Sequence, residues 1–298
     1  MPGLLDGKVA IITGAGQGLG RSHALTFAEE GARVVVNDFA PPGKDNPAAA
    51  VVDEIKAAGG EAVAHAGDVA DWDASKAMVQ LALDTWGQLD VLVNNAGILR
   101  DRMVFNMSEE EWDAVIRVHL KGHFCPTRHA VEHWRNASKA SDGAVYGRII
   151  NTSSEAGLMG SAGQPNYSTA KGGIIQFTLA TAQGMSRYGV NANAIAPRAL
   201  TQMTEQLGGF DAKEGDFEVF APENVSPLVA YLGAPESAKV SGQVFVVWGR
   251  QISVLAGPSV GQHFETSDHW TAANVSESLT PFYEKRKPIG DGFLLRYS

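Results

Sequence analysis

A short apolar run, Val9-Ala10-Ile11-Ile12, empties without a linker into Thr13-Gly14-Ala15-Gly16-Gln17-Gly18-Leu19-Gly20, and a segment of helical period, Gly18–Glu30, follows at once. A strand, a glycine turn and a helix in that order constrain the chain more than any other feature. The glycines let the backbone turn tightly and approach a pyrophosphate, whose charge is met by the amides at the helix N-terminus. The spacing is not G-x-G-x-x-G, because counting from Gly14 the last glycine would fall on Leu19. It is T-G-x-x-x-G-x-G, carried by Gly14, Gly18 and Gly20, with Gln17 and Leu19 completing the expected cofactor-binding turn.

The rest of the chain repeats the rhythm. Runs rich in Val and Ile are expected as strands at Lys8–Thr13, Arg33–Asp38, Ala62–Asp68, Leu89–Asn94, Arg148–Ser153, Asn191–Ala196 and Gln243–Trp248. Helices are expected between them, near Gly18–Glu30, Asn46–Ala58, Asp71–Trp86, Ser108–Trp134, Gln164–Arg187 and Glu223–Leu232. Continuous apolar strands alternating with helices describe a parallel sheet covered on both faces. The expected fold class is therefore α/β: a doubly wound Rossmann-type parallel seven-stranded sheet, in a single domain with a C-terminal extension. Residues 1–250 form the dinucleotide-binding and catalytic domain, and residues 251–298 a tail packed on it or on a partner subunit. Asn136–Gly147 is read as a polar surface loop, and Leu200–Pro222, beyond the sixth strand, as a mobile substrate loop.

Composition narrows the class. The net charge of −9 argues against a general nucleic-acid or membrane-surface binder, because both need a dominant basic face. One cysteine, Cys125, excludes an internal disulfide and fits a reducing compartment. No leader and no run of about 18 apolar residues is found, so the expectation is a cytoplasmic protein.

Asp38 closes the second strand. A carboxylate there accepts hydrogen bonds from both adenosine ribose hydroxyls and repels a 2′-phosphate, so NAD is expected in preference to NADP, with Lys44 the one nearby base that speaks otherwise. Asp68-Val69, ending the third strand, is placed to flank an adenine, and Asn94-Asn95-Ala96-Gly97, ending the fourth, to wall the cofactor. Tyr167 and Lys171 share one face of a helix. A lysine ammonium beside a phenol lowers the phenol's pKa, so the tyrosine can exchange a proton with an alcohol. Ser154, thirteen residues before Tyr167, is placed to hold the substrate oxygen, and its neighbour Ser153 is the alternative. Tyr283 and Lys287 repeat the tyrosine–lysine spacing, but with Pro288 following and a tryptophan thirteen residues upstream they are read as a coincidence.

Thr13–Gly20, Asp68-Val69, Asn94–Gly97, Ser154, Tyr167/Lys171 and Ile195-Ala196-Pro197 together resemble the short-chain dehydrogenase/reductase family over about residues 5–250. The resemblance implies a serine–tyrosine–lysine mechanism, cofactor contacts from Val118 and Pro197 as well, a small-molecule substrate, and a homodimer or homotetramer. It also places His119, where the family usually has asparagine, in a kinked helix whose backbone carbonyl serves a proton relay. Val36-Asn37-Asp38, Asn95–Arg102 and Val118–Gly122 look like a narrower branch, the (3R)-hydroxyacyl-CoA dehydrogenase part of peroxisomal multifunctional enzymes. By that likeness the substrate is an acyl-CoA, with a steroid-like chain included, and Arg100 and Arg102 are candidates to meet CoA phosphates. The alternatives are a dehydrogenase for a small polyol, sugar or xenobiotic alcohol, and a non-catalytic NAD-binding scaffold. Arg198 stands where the family usually has glycine, and is read as covering the cofactor diphosphate or as facing solvent. His129-Ala130-Val131-Glu132-His133 matches a zinc-peptidase spacing, yet with no distant third ligand it is read as helix surface, and no metal is expected.

Overall fold

The computed structural model describes residues 3–41, 43–201, 213–214, 217–267 and 269–286. In chain order these build β1 (Val9–Thr13), α1 (Gly18–Glu29), β2 (Arg33–Asp38), α2 (Pro47–Ala57), β3 (Ala62–Ala66), α3 (Trp72–Trp86) and β4 (Val91–Asn94). Next come α4 (Glu109–Ile116), α5 (Gly122–Ser141), β5 (Gly147–Thr152), α6 (Ala156–Met159), α7 (Pro165–Met185) and β6 (Val190–Pro197). A small hairpin, β7 (Lys213–Glu214) and β8 (Phe217–Glu218), precedes α8 (Ser226–Gly233), β9 (Val244–Trp248), β10 (Gln251–Val254) and α9 (Ala272–Glu284).

The main sheet has eight strands in the order β10-β9-β6-β5-β4-β1-β2-β3. Seven are parallel, as expected; the eighth, β10, turns back antiparallel to β9 with Gln251 opposite Trp248. The segment after residue 250 therefore begins as a strand of the sheet itself. Its four residues are mostly exposed, so they lack the apolar run that marks the other strands.

Period-two alternation decides which side each strand residue serves. Ala10, Ile12, Val34, Val36, Val91, Val93, Ile150 and Ile195 point into one core, covered by α1, α2 and α8. Val9, Ile11, Val35, Leu92, Ile149 and Ala192 point into the other, under α3, α5 and α7. Trp134 is the largest side chain buried there, and its indole N–H donates to the Leu89 carbonyl at 2.6 Å. Burying that ring contributes on the order of 3 kcal/mol.

Only the second half of Asn136–Gly147, residues 142–146, is the expected loop. α5 continues to Ser141 because Trp134 and Ser138 keep one face buried, and it stops at Asp142 in the left-handed conformation, φ 51°. The strand order reverses between β1 and β4, which opens a crevice at their carboxyl ends, where an open α/β sheet binds its ligand. Among the described residues no helix is long and apolar enough to cross a membrane.

Candidate active site

The glycine turn hangs over the β1–β4 crevice. Gly14 and Gly18 hold positive φ, 60° and 55°, which side chains resist. A Cβ at Gly20 would lie 2.1 Å from the Gly14 carbonyl oxygen, so only glycine lets α1 pack this close to the strand. Gln17 is the exposed N-cap of α1, and Leu19 packs against the core beneath the turn. The turn is tied to β4: Asn95 donates its side-chain amide to the Thr13 carbonyl at 3.0 Å, and the Asn95 and Ala96 amides both donate to the Thr13 hydroxyl. Asp38 lies at the same opening, its Oδ2 accepting from the Gly16 amide at 2.7 Å and its Oδ1 from the Phe39 amide at 2.7 Å. Burial raises its pKa against the pull of those two bonds. Val69 is buried beside the crevice, while Asp68 pairs with Arg117 at 2.7 Å. A tight glycine turn, a helix N-terminus and a carboxylate at the end of β2 fit the phosphate and ribose ends of an NAD(P)-type cofactor.

The catalytic candidates meet at the carboxyl ends of β4 and β5. Tyr167, Ser154 and Lys171 come together as the spacing predicts, with the Lys171 ammonium 5.4 Å from the centre of the Tyr167 ring. Ser154 neighbours the Tyr167 phenol and favours its charged form, and its hydroxyl accepts from the Ala156 amide at 3.2 Å. The Ser153 hydroxyl donates to the Lys171 carbonyl at 2.8 Å and so holds α7. Lys171 is 2% exposed and donates from Nζ to the Thr152 carbonyl at 2.6 Å.

The electrostatics differ from the expectation. Burial pushes the Tyr167 phenol up to about 12, with the nearby Ser154 hydroxyl opposing it and the Asp101 charge adding to it. Burial also brings Lys171 down to about 7, so near neutrality its amine is charged only part of the time. Burial acts on both groups and favours the uncharged form of each, opposing the pull that the lysine charge exerts on the phenol.

His119 lies in a π-helical turn, Arg117–Lys121, between α4 and α5; this is the kink the resemblance implied. Its side chain is 1% exposed, with Nε2 at 2.7 Å from the Ile98 carbonyl and its ring edge-on to Tyr167 at 5.2 Å. Gly97 is needed here, since a Cβ would meet the His119 ring at 2.3 Å. Val118 shares the π-turn, and Pro197 ends β6 beside the crevice. Asn166, missed in the sequence reading, donates from one side-chain amide to the Arg100 and Glu111 carbonyls and so fixes the loop after β4 against α7.

Arg198 does not face solvent, its side chain being only 11% exposed. It forms a two-pronged ion pair with Glu155, which immediately follows Ser154. Arg102 pairs with Glu111 at 3.1 Å, and Arg100 is exposed at the rim. His129 is held against the Trp72 carbonyl and Glu132 against Arg128. Among the described residues no cluster of three or more His, Cys, Asp or Glu could hold a metal ion. Of the tyrosine–lysine pair in the tail, Tyr283 is exposed on α9 and Lys287 lies outside the described residues, as does most of Leu200–Pro222.

Comparison with known proteins agrees with this geometry. The family described as short chain dehydrogenase matches residues 8–211. Hydroxyacyl-CoA dehydrogenase ChsB1 of Mycobacterium tuberculosis is 47% identical over 292 residues, covering 95% of this chain and 91% of its own length. Peroxisomal multifunctional enzyme type 2 of Mus musculus is 45% identical over 255 residues, 84% of this chain but only 33% of that longer protein. A short chain dehydrogenase from Mycobacterium avium, solved by crystallography, superposes with a TM-score of 0.87 at 52% identity, covering 96% of this chain and 98% of its own. With the glycine turn, the crevice and the serine–tyrosine–lysine cluster all in place, the chain belongs to the short-chain dehydrogenase/reductase family, oxidoreductases that act on CH–OH groups.

Proposed function

We propose that the protein uses NAD to interconvert a secondary alcohol and a ketone, and that its substrate is a (3R)-3-hydroxyacyl-CoA, a steroid-like acyl chain included. The observation that carries the reaction is the convergence of Ser154, Tyr167 and Lys171 beside the glycine turn. The choice of NAD rests on Asp38, a carboxylate at the ribose end with backbone donors on both oxygens. The substrate class rests on the hydroxyacyl-CoA dehydrogenase and the multifunctional enzyme to which the chain is similar.

Oxidation takes a hydride from the carbinol carbon and a proton from its oxygen; bound NAD supplies the acceptor for the hydride. The proton goes to Tyr167 as its phenolate, the general base in this direction, and is returned by the phenol, the general acid, in the reverse. Ser154 orients the substrate oxygen by hydrogen bonding. Lys171, held by the Thr152 carbonyl, supports the tyrosine and is placed to hold the nicotinamide ribose. His119 packs its ring against Tyr167 and contributes its backbone at the π-turn. Arg100, exposed at the rim, is placed to meet CoA phosphates. A homo-oligomer is supported by Trp72 and Phe124, large apolar groups exposed together on α3 and α5.

The test presents purified protein and NAD with a (3R)-3-hydroxyacyl-CoA, its (3S) isomer, a 17β-hydroxysteroid and a simple secondary alcohol, following NADH formation. Turnover of the (3R) thioester well above the others is the expected result. Turnover of only the steroid or the small alcohol would discard the CoA reading and keep the dehydrogenase.

A further inference from the structure

β5 and β6 run side by side, with Thr152 opposite Ile195. Glu155 and Arg198 lie just beyond their carboxyl ends, and their side chains close the gap between them. Arg198 Nε meets Glu155 Oε2 at 2.5 Å and Nη2 meets Oε1 at 2.7 Å, a two-pronged fit of guanidinium to carboxylate. The side chains are only 11% and 3% exposed. The guanidinium also lies 4.9 Å from the centre of the Trp248 ring, and Trp248 stacks on Phe220 at 5.5 Å with 14° between planes. Phe220 in turn accepts a backbone hydrogen bond from Leu200 at 2.7 Å. One continuous stack thus runs from the turn that carries Ser154 to both ends of the segment leaving β6.

Glu155 is also the residue before α6, and its carbonyl accepts from the Leu158 and Met159 amides. The Ser154 hydroxyl accepts from the Ala156 amide at 3.2 Å. Moving Glu155 therefore moves the short turn from which Ser154 reaches Tyr167. Two charges taken out of water gain little stability over well-packed apolar groups, whereas rigid placement of a neighbouring group is a function such a pair serves.

We propose that Glu155 and Arg198 are a positioning pair for the reaction, holding the Ser154 hydroxyl in register with Tyr167 and bracing the segment leaving β6 through Trp248 and Phe220. The inference rests on the reading of Ser154 as the group that orients the substrate oxygen.

The test compares wild type, Glu155→Gln, Arg198→Lys and the double variant Glu155→Gln/Arg198→Met on the alcohol that wild type oxidises fastest. The measurements are kcat, KM, NAD affinity, melting temperature and hydrogen exchange at the Leu200 amide. Each single variant is expected to lose about tenfold or more in kcat, since misplacement of a substrate-orienting group is costly. NAD affinity should be retained and Leu200 exchange should quicken. Arg198→Lys should fail to rescue, because an ammonium cannot reproduce the guanidinium fork. The double variant removes both halves of the pair, so neither is left buried without the other, and it should recover melting temperature while kcat stays low. Recovery of kcat together with melting temperature would make the pair a purely structural tie and overturn the proposal. So would a loss confined to NAD affinity, or wild-type kcat in the singles. Ser154→Ala, run alongside, separates the two levels: full turnover in that variant removes the reading of Ser154, whatever the Glu155 variants do.

Discussion

Gly16 and Asp38 are locked together: the Gly16 amide donates to Asp38 Oδ2 at 2.7 Å, and a Cβ on Gly16 would lie 2.7 Å from that same oxygen. The phosphate turn and the ribose-end carboxylate are therefore one unit, although 22 residues separate them. Gly16→Ala cannot be accommodated without moving Asp38 or Pro47, whose Cβ is also 2.7 Å away. NAD affinity, measured by titration, is expected to fall by about tenfold or more, the equivalent of 1.4 kcal/mol. Unchanged affinity would show that Asp38 does not need this contact to meet the cofactor.

Cofactor choice follows from the same carboxylate. Each carboxylate oxygen carries a second lone-pair direction beyond its backbone bond, enough to accept from two ribose hydroxyls. A 2′-phosphate would instead meet a negative charge. NAD should raise the melting temperature more than NADP at equal concentration, by mass action on the folded state. Asp38→Ala should bring the two shifts together. Because burial raises the Asp38 pKa, the carboxylate is protonated at higher pH than an exposed one, and the NAD preference should weaken as pH falls into that range. A larger shift with NADP in the wild type would overturn the argument.

On the proposed mechanism Tyr167 carries the proton step, so Tyr167→Phe should lower kcat by about 10²–10⁴-fold. The phenyl ring keeps its contact with His119, and NAD binding and melting temperature should stay near wild type. Full turnover in the variant would sink the mechanism. Lys171→Met should also lose turnover, here with weaker NAD binding if the lysine holds the nicotinamide ribose.

Much of this site is visible in the chain before any coordinates are consulted, because it depends on local order. The glycine turn must follow β1 directly, and Tyr167 and Lys171 must share a helix face. The remainder depends on contacts that leave no local trace. A π-turn at Arg117–Lys121 has no residue signature, and β10 is too short and too exposed to show as a strand. Asn136–Ser141 is polar enough to pass for a loop and is helical only because Trp134 and Ser138 find a core. Glu155 and Arg198 are 43 residues apart, and only the adjacency of β5 and β6 makes them partners. The burial that opposes the lysine's pull on Tyr167 leaves no trace either: the charge of Lys171 is plain in the sequence, but its burial is not.

Three buried histidines should make the fold acid-sensitive. His23, His119 and His123 are each at most 1% exposed, and among the described residues no carboxylate pairs with any of them. His23, on α1 where it faces α8, shares a hydrogen bond with the Ser226 hydroxyl, and burial takes it down to about 3. Burial takes His123 to about 3 and His119 well below its usual value, with the Lys171 charge adding to both. In the unfolded chain each ring takes up a proton near 6.5. Between that pH and about 3 the unfolded state binds more protons, so stability is present above 6.5 and drains away as pH falls. The slope is about 1.4 kcal/mol per pH unit for each of His23 and His123, or about 2 kcal/mol apiece by pH 5, with His119 acting in the same direction. Denaturant unfolding between pH 7 and 5 should show this loss, and His23→Gln should lower the slope by about 1.4 kcal/mol per pH unit. A stability curve that stays flat to pH 5 would mean that the rings meet solvent or find an acid in solution.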